Sequence, residues 1–125
     1  MATNKIQKFS DLIAWQEGHK LVIGIYEHTK NFPSEEKFSL TSQVRRSAIS
    51  ITSNLAEGFG RQSIKDKIHF YIMARGSVLE LQNQLLISRD IRLINRTTFE
   101  GLVGKSVVVH KLINGLIRGV RNNET

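Results

Sequence analysis

The run Gln43–Arg61, QVRRSAISITSNLAEGFGR, constrains this chain more than any other. Its apolar residues recur at helical spacing, yet it also carries Ser50 and Asn54 on the same face, and arginines bracket it. A polar group left unpaired at a core-facing position costs about 1–3 kcal/mol. A helix with several such groups therefore pairs them with a neighbouring helix or presents them to a partner.

Three further segments show helical periodicity, separated by short polar breaks. The spacing predicts helices over about 10–30, 35–58, 63–91 and 97–121. In the first, Ser10 is the expected N-cap, with Asp11 in the first turn. Leu12, Trp15, His19, Val22, Ile23 and Tyr26 form its stripe, and Pro33 lies beyond its end. The second is expected to start at Ser34, with Glu35 and Glu36 in its first turn. Leu40, Val44, Ala48, Ile51 and Leu55 form its stripe, and Gly58-Phe59-Gly60 suits a left-handed C-terminal cap. The third opens with Ser63 and Asp66 as a capping box. Its stripe reads Ile64, Ile68, Tyr71, Ile72, Val78, Leu79, Leu85 and Leu86, and Gly76 implies a close helix–helix approach. The fourth opens with Thr97 and Glu100 as a second capping box. Phe99, Leu102, Val103, Val107, His110, Ile113, Ile117 and Val120 line its face, while the tail 121–125 is polar and expected to fray. The β-leaning Val107-Val108-Val109 run keeps the helical period through its neighbours. The expected fold is all-α: one domain, 1–125, forming an antiparallel up-down-up-down four-helix bundle. Its broad apolar stripes, extended by Ile49, Ile87 and Ile91, point to a homo-oligomer.

With 125 residues, 40% of them apolar, the chain can bury one real core. It has no cysteine, which excludes disulfides and thiolate metal sites and fits a reducing cytoplasm. The N-terminus lacks the apolar stretch of a signal peptide, and no run approaches the roughly 20 residues of a membrane span. The expected location is cytoplasmic, without membrane contact, and the sequons at Asn95 and Asn123 read as chance matches.

The formal net charge is +7, divided as 0 over residues 1–41, +4 over 42–75 and +3 over 76–125. Such asymmetry suits an anionic partner, nucleic acid above all. Arg45, Arg61, Lys65, Lys67, Arg89, Arg92 and Arg96 are the candidate phosphate contacts. Ser50, Asn54 and Glu57 share one helix face, and Ser77 and Glu80 are spaced alike. With Arg46 they form an expected buried polar network that sets helix register. Trp15 and Tyr26, at stripe positions, read as core. The four histidines form no HxxxH pair, so no metal site is expected. No nucleophile elbow or pair of carboxylates at catalytic spacing appears, so neither an enzyme nor a cofactor is expected.

Several residues together resemble a known family. They are Phe9–Gln16 (FSDLIAWQ), Tyr26, Phe32-Pro33, Gln43–Arg46 (QVRR), Ser50-Ile51, Asn54–Gly58 (NLAEG), Arg61, Ala74–Ser77 (ARGS) and Glu80. In this combination the chain is similar, from about Phe9 to Val120, to the bacterial 23S ribosomal RNA intervening-sequence proteins. The resemblance implies a four-helix bundle assembled as a ring, usually a pentamer, with no established enzymatic activity. It also implies kinship with the accessory protein of diversity-generating retroelements, a basic pentamer that binds nucleic acid and a reverse transcriptase. Ser47, where the family often has alanine, and Thr52, where it often has proline, depart from the pattern. Two functions are thus expected to compete: nucleic-acid binding by a basic homo-oligomer, and a scaffold that docks a protein such as a reverse transcriptase.

Overall fold

The computed structural model describes residues 5–122. Four helices account for most of them: α1 (Ile13–Thr29), α2 (Leu40–Gly60), α3 (Ile64–Asp90) and α4 (Arg96–Arg121). No strand occurs among the described residues. Each helix packs against two others, α1 on α2 and α4, and α3 on α2 and α4, so the four stand at the corners of a square. The core between them holds Leu21, Ile25, Val44, Ala48, Ile51, Leu55, Tyr71, Val78, Leu81, Leu85, Val109, Ile113 and Ile117. The polar tail is described only to Asn122; the sequon at Asn123 and the rest of the tail lie outside the described residues.

The inner stripe of α2 is as the spacing predicts, with Val44, Ala48, Ile51 and Leu55 fully buried. That of α1 is rotated. Ala14, Gly18, Leu21 and Ile25 face inward, while His19, Ile23 and Tyr26 are exposed and Trp15 is half-buried. Small residues explain the rotation. A Cβ on Gly18 would lie 3.2 Å from the Thr52 methyl of α2, and one on Gly24 would lie 3.3 Å from Leu102 of α4. The large aromatics sit on the flank instead, Trp15 stacked on His19 at 4.8 Å and edge-on to Phe9 at 5.4 Å.

Helix boundaries shift where local hydrogen bonds outcompete the predicted caps. Ser10 falls within a short 3-10 turn, Phe9–Asp11, and Asp11 caps it by accepting from the backbone N–H groups of Gln7 and Lys8. These two bonds hold the Asp11 carboxyl below its ordinary pKa of 3.8. Ser34–Glu36 likewise form only a 3-10 turn, closed by the Ser39 hydroxyl donating to Glu36 at 2.7 Å, and α2 starts afresh at Leu40. Ser63 caps α3 as expected, accepting from the Asp66 N–H. At α4 the cap is Asn95, not Thr97, with its side chain accepting from the Thr98 N–H at 2.8 Å; Glu100 pairs with Arg96 instead.

The glycines also differ from expectation. α2 runs on to Gly60 and leaves in extended conformation at Arg61, and no glycine among the described residues takes a positive φ. Gly58 serves packing: a Cβ there would stand 2.7 Å from the ring of the buried Tyr71. Gly76 faces open space and marks no close approach. The left-handed position falls on Arg92 (φ 67°). There the Leu93 N–H reaches the Ser88 carbonyl at 2.8 Å and the Arg92 N–H the Arg89 carbonyl at 3.0 Å, a Schellman closure of α3.

The predicted stripe of α3 divides in two. Tyr71, Val78 and Leu85 enter the core, with Ala74 and Leu81 beside them. Ile72, Leu79 and Leu86 point outward, joined there by Met73, Ile87 and Ile91, each at least 40% exposed. In α4, Val107 is exposed as well, and Ser106 and Val109 take the inner positions.

Candidate nucleic-acid interface

The seven candidate cations do not form one patch. Arg61, Lys65 and Lys67 lie at the α2–α3 connection, and Arg89, Arg92 and Arg96 at the α3–α4 connection. These are opposite ends of α3, separated by about 36 Å at 1.5 Å per residue. Arg45 lies apart from both, in the first half of α2, where it meets α1.

Near neighbours already hold several of these groups. Arg61 pairs with Glu57 at 2.7 Å and lies over the Phe70 ring at 4.7 Å. Lys67 donates to the Phe59 carbonyl at 2.7 Å and sits over the Phe59 ring, and partial burial lowers its pKa. Arg89 pairs with Asp90 at 2.8 Å and covers the Phe99 ring at 4.6 Å. Arg96 pairs with Glu100 at 3.1 Å. All these ion pairs are substantially exposed, so each adds little stability and yields readily to a competing anion. Arg45, Lys65 and Arg92 have no carboxylate within 4 Å among the described residues.

The predicted polar network is smaller than the spacing implied. Ser50 and Ser77 share a hydrogen bond of 2.8 Å between α2 and α3. Asn54 donates to the Ser50 carbonyl and hydroxyl at 2.9 and 3.1 Å, and Ser77 donates to the Met73 carbonyl at 3.2 Å. Arg46, Glu57 and Glu80 make no bond to this trio. Glu57 is drawn to Arg61, one turn along its own helix, while Arg46 and Glu80 are exposed. Sequence spacing did not reveal the two polar rungs between α3 and α4. Arg75 donates to Asn114 at 2.9 Å, and Gln82 donates to Ser106 at 2.9 Å. Arginine and glutamine on the edge of a stripe look solvent-facing until the register of the partner helix is known.

A groove of about 570 Å³, lined by Tyr26, Ser42, Arg45, Arg46, Ile49 and Ser50, opens beside the α1–α2 contact. A second, of about 580 Å³, joins Phe38, Leu40 and Gln43 to Asn83, Gln84, Ile87 and Ile91. The start of α2 thus lies beside the end of α3. Among the described residues no group of three or more His, Cys, Asp or Glu side chains could hold a metal ion, and no helix is long and apolar enough to cross a membrane.

An all-α, four-helix chain with cationic ends is the class this geometry defines. The chain belongs to the 23S rRNA-intervening sequence protein family, whose family model matches residues 10–115. Among solved structures it is similar to a protein of unknown function from the S23 ribosomal protein family of Bacteroides thetaiotaomicron. The two are 24% identical with a TM-score of 0.79, over 85% of this chain and 96% of that one. At that identity the likeness speaks for the fold alone. No curated protein matches the chain.

Proposed function

We propose that the chain is one subunit of a non-enzymatic, cytoplasmic homo-oligomer that binds nucleic acid through its cationic surface. In this reading the bundle is antiparallel, up-down-up-down. Contact order supports the topology: along α2 from Ser50 to Gly58, partners on α3 step back from Ser77 to Tyr71. From Arg75 to Gln82 on α3, partners on α4 step back from Asn114 to Ser106.

The observation that most favours phosphate binding is Arg92. A non-glycine residue in the left-handed region costs about 1–2 kcal/mol, and glycine would close the same motif without strain. Strain of this kind clusters at functional positions. Here it holds an exposed guanidinium, without a carboxylate partner, between Arg89 and Arg96. Self-assembly draws on α3, whose outward residues from Ile72 to Ile87 include five large apolar side chains but, as charge, only Glu80. A helix face with this many exposed large apolar side chains suits a contact with another chain. A closed ring, the pentamer that the resemblance implies, would bury that face and repeat the cationic ends around its axis.

The test is a salt titration of nuclease-treated protein against a structured RNA and a duplex DNA. Binding that falls linearly in log–log salt supports phosphate contact and counts the contacts. No binding at low salt overturns the reading. The second reading, a scaffold for a protein such as a reverse transcriptase, draws on the same α3 face; a complex that survives nuclease would favour it.

A further inference from the structure

We infer that the α1–α2 groove is a subsite for one unpaired nucleotide, with its base stacked on Arg45 and its phosphate held by Arg46. The inference rests on the nucleic-acid reading and assigns that function a specific place. The Arg45 guanidinium is fixed twice. Its Nε donates to the Thr29 hydroxyl at 2.9 Å, and its carbon lies 4.5 Å from the centre of the Tyr26 ring. Thr29 is itself anchored, donating to the Ile25 carbonyl at 2.7 Å. A guanidinium held in this way loses little further freedom when a ligand settles on it. Tyr26 and Arg45 both line the groove, so the ring and the guanidinium together present a stacking surface to it. Guanidinium planes stack on unpaired bases as aromatic rings do.

Arg46 supplies the second half. It is exposed, lines the same groove, and makes no hydrogen bond or ion pair among the described residues. Its five donors are therefore available to a phosphate oxygen pair. Ile49 adds an apolar wall for the sugar, and the Ser42 and Ser50 hydroxyls line the same groove. A groove of about 570 Å³ has room for one nucleotide. A base must leave its stack to enter, which makes the site selective for single strands, loops and bulges.

The experiment uses the full chain and two oligonucleotides of equal length, one single-stranded with an internal 2-aminopurine and one a perfect duplex. The wild type is expected to bind the single strand with a change in 2-aminopurine fluorescence. Arg45→Lys keeps the charge and loses the flat surface, so single-strand affinity should fall about tenfold with duplex affinity unchanged. Arg46 makes no bond among the described residues, so Arg46→Gln removes none there; it should reduce the single-strand salt slope by about one. If both variants bind the single strand as the wild type does, the subsite is wrong while the general function stands. If Arg45→Lys weakens single strand and duplex equally, the stacking role is wrong. If the wild type binds neither oligonucleotide nor structured RNA, the nucleic-acid reading fails and takes the subsite with it.

Discussion

α3 and α4 are almost the same length, 27 and 26 residues, and each packs on two neighbours, yet they treat their outer faces in opposite ways. α4 sorts its residues more sharply, with Val107 and Val108 as its exposed large apolar side chains. Leu102, Val109, Ile113, Ile117 and Val120 go inside, and Lys105, Lys111, Arg118 and Arg121 stay outside. α3 fills its inner face equally well and then repeats the pattern outward with Ile72, Leu79 and Leu86 at seven-residue spacing. One helix leaves two valines exposed, and the other leaves a row of large apolar side chains on its outer face. Charge follows the same division: the outer belt of α3 is nearly uncharged, while its two ends carry the arginine and lysine clusters.

The inner faces should be indistinguishable, and large-to-small substitution there gives the largest effects. Leu81→Ala on α3 and Ile113→Ala on α4 each remove a fully buried side chain. Each should destabilise by about 2–5 kcal/mol in urea unfolding. Gly58→Ala, which drives a methyl into the Tyr71 ring, should cost about 1–3 kcal/mol by the same measurement.

Tyr71 gives a pH signature to the inner face of α3. Its hydroxyl is buried without a hydrogen-bond partner among the described residues, and burial pushes its pKa up to about 12 from 10.0. A neutral acid with a raised folded pKa favours the fold fully below pH 10 and progressively less as pH rises to 12. Tyr71→Phe should abolish that alkaline loss and raise stability at neutral pH by up to about 1 kcal/mol, because no unpartnered hydroxyl is then buried. Arg92→Gly at the end of α3 should stabilise by about 0.5–1 kcal/mol, the relief of left-handed strain less the added freedom of the unfolded chain. It should weaken nucleic-acid binding at the same time, and a variant that gained stability with no loss of affinity would remove Arg92 from the interface.

How much of this could be read from the chain differs by helix. α2 announces itself because its apolar and polar residues obey one period, and Ser50 and Asn54 meet their partners in a bond that spacing alone made plausible. The inner face of α1 was misplaced because Ala14 and Gly18, which permit the close approach, carry almost no hydrophobic signal beside Trp15 and Tyr26. α3 defeated the stripe argument for the opposite reason: apolar residues on both sides leave no direction for a period to indicate. The caps at Asn95 and Arg92 depend on which of several competing local bonds closes, and the register of α3 on α4 fixes Arg75 on Asn114. Neither can be seen within a single helix. The distance between the basic clusters is legible only once the helix is known: about 36 Å of α3 separates residues that the chain numbers two dozen apart.

The central claim is that the outer face of α3 is covered by other copies of the chain, and solution mass tests it most directly. Light scattering of the wild type should give a multimer. The Leu79→Lys, Leu86→Lys double variant should give the mass of one chain, with unchanged helicity and a stability change within about 0.5 kcal/mol per site. A wild type that stays a single 14.2 kDa chain at high concentration, with α3 exposed as it is here, would contradict the account.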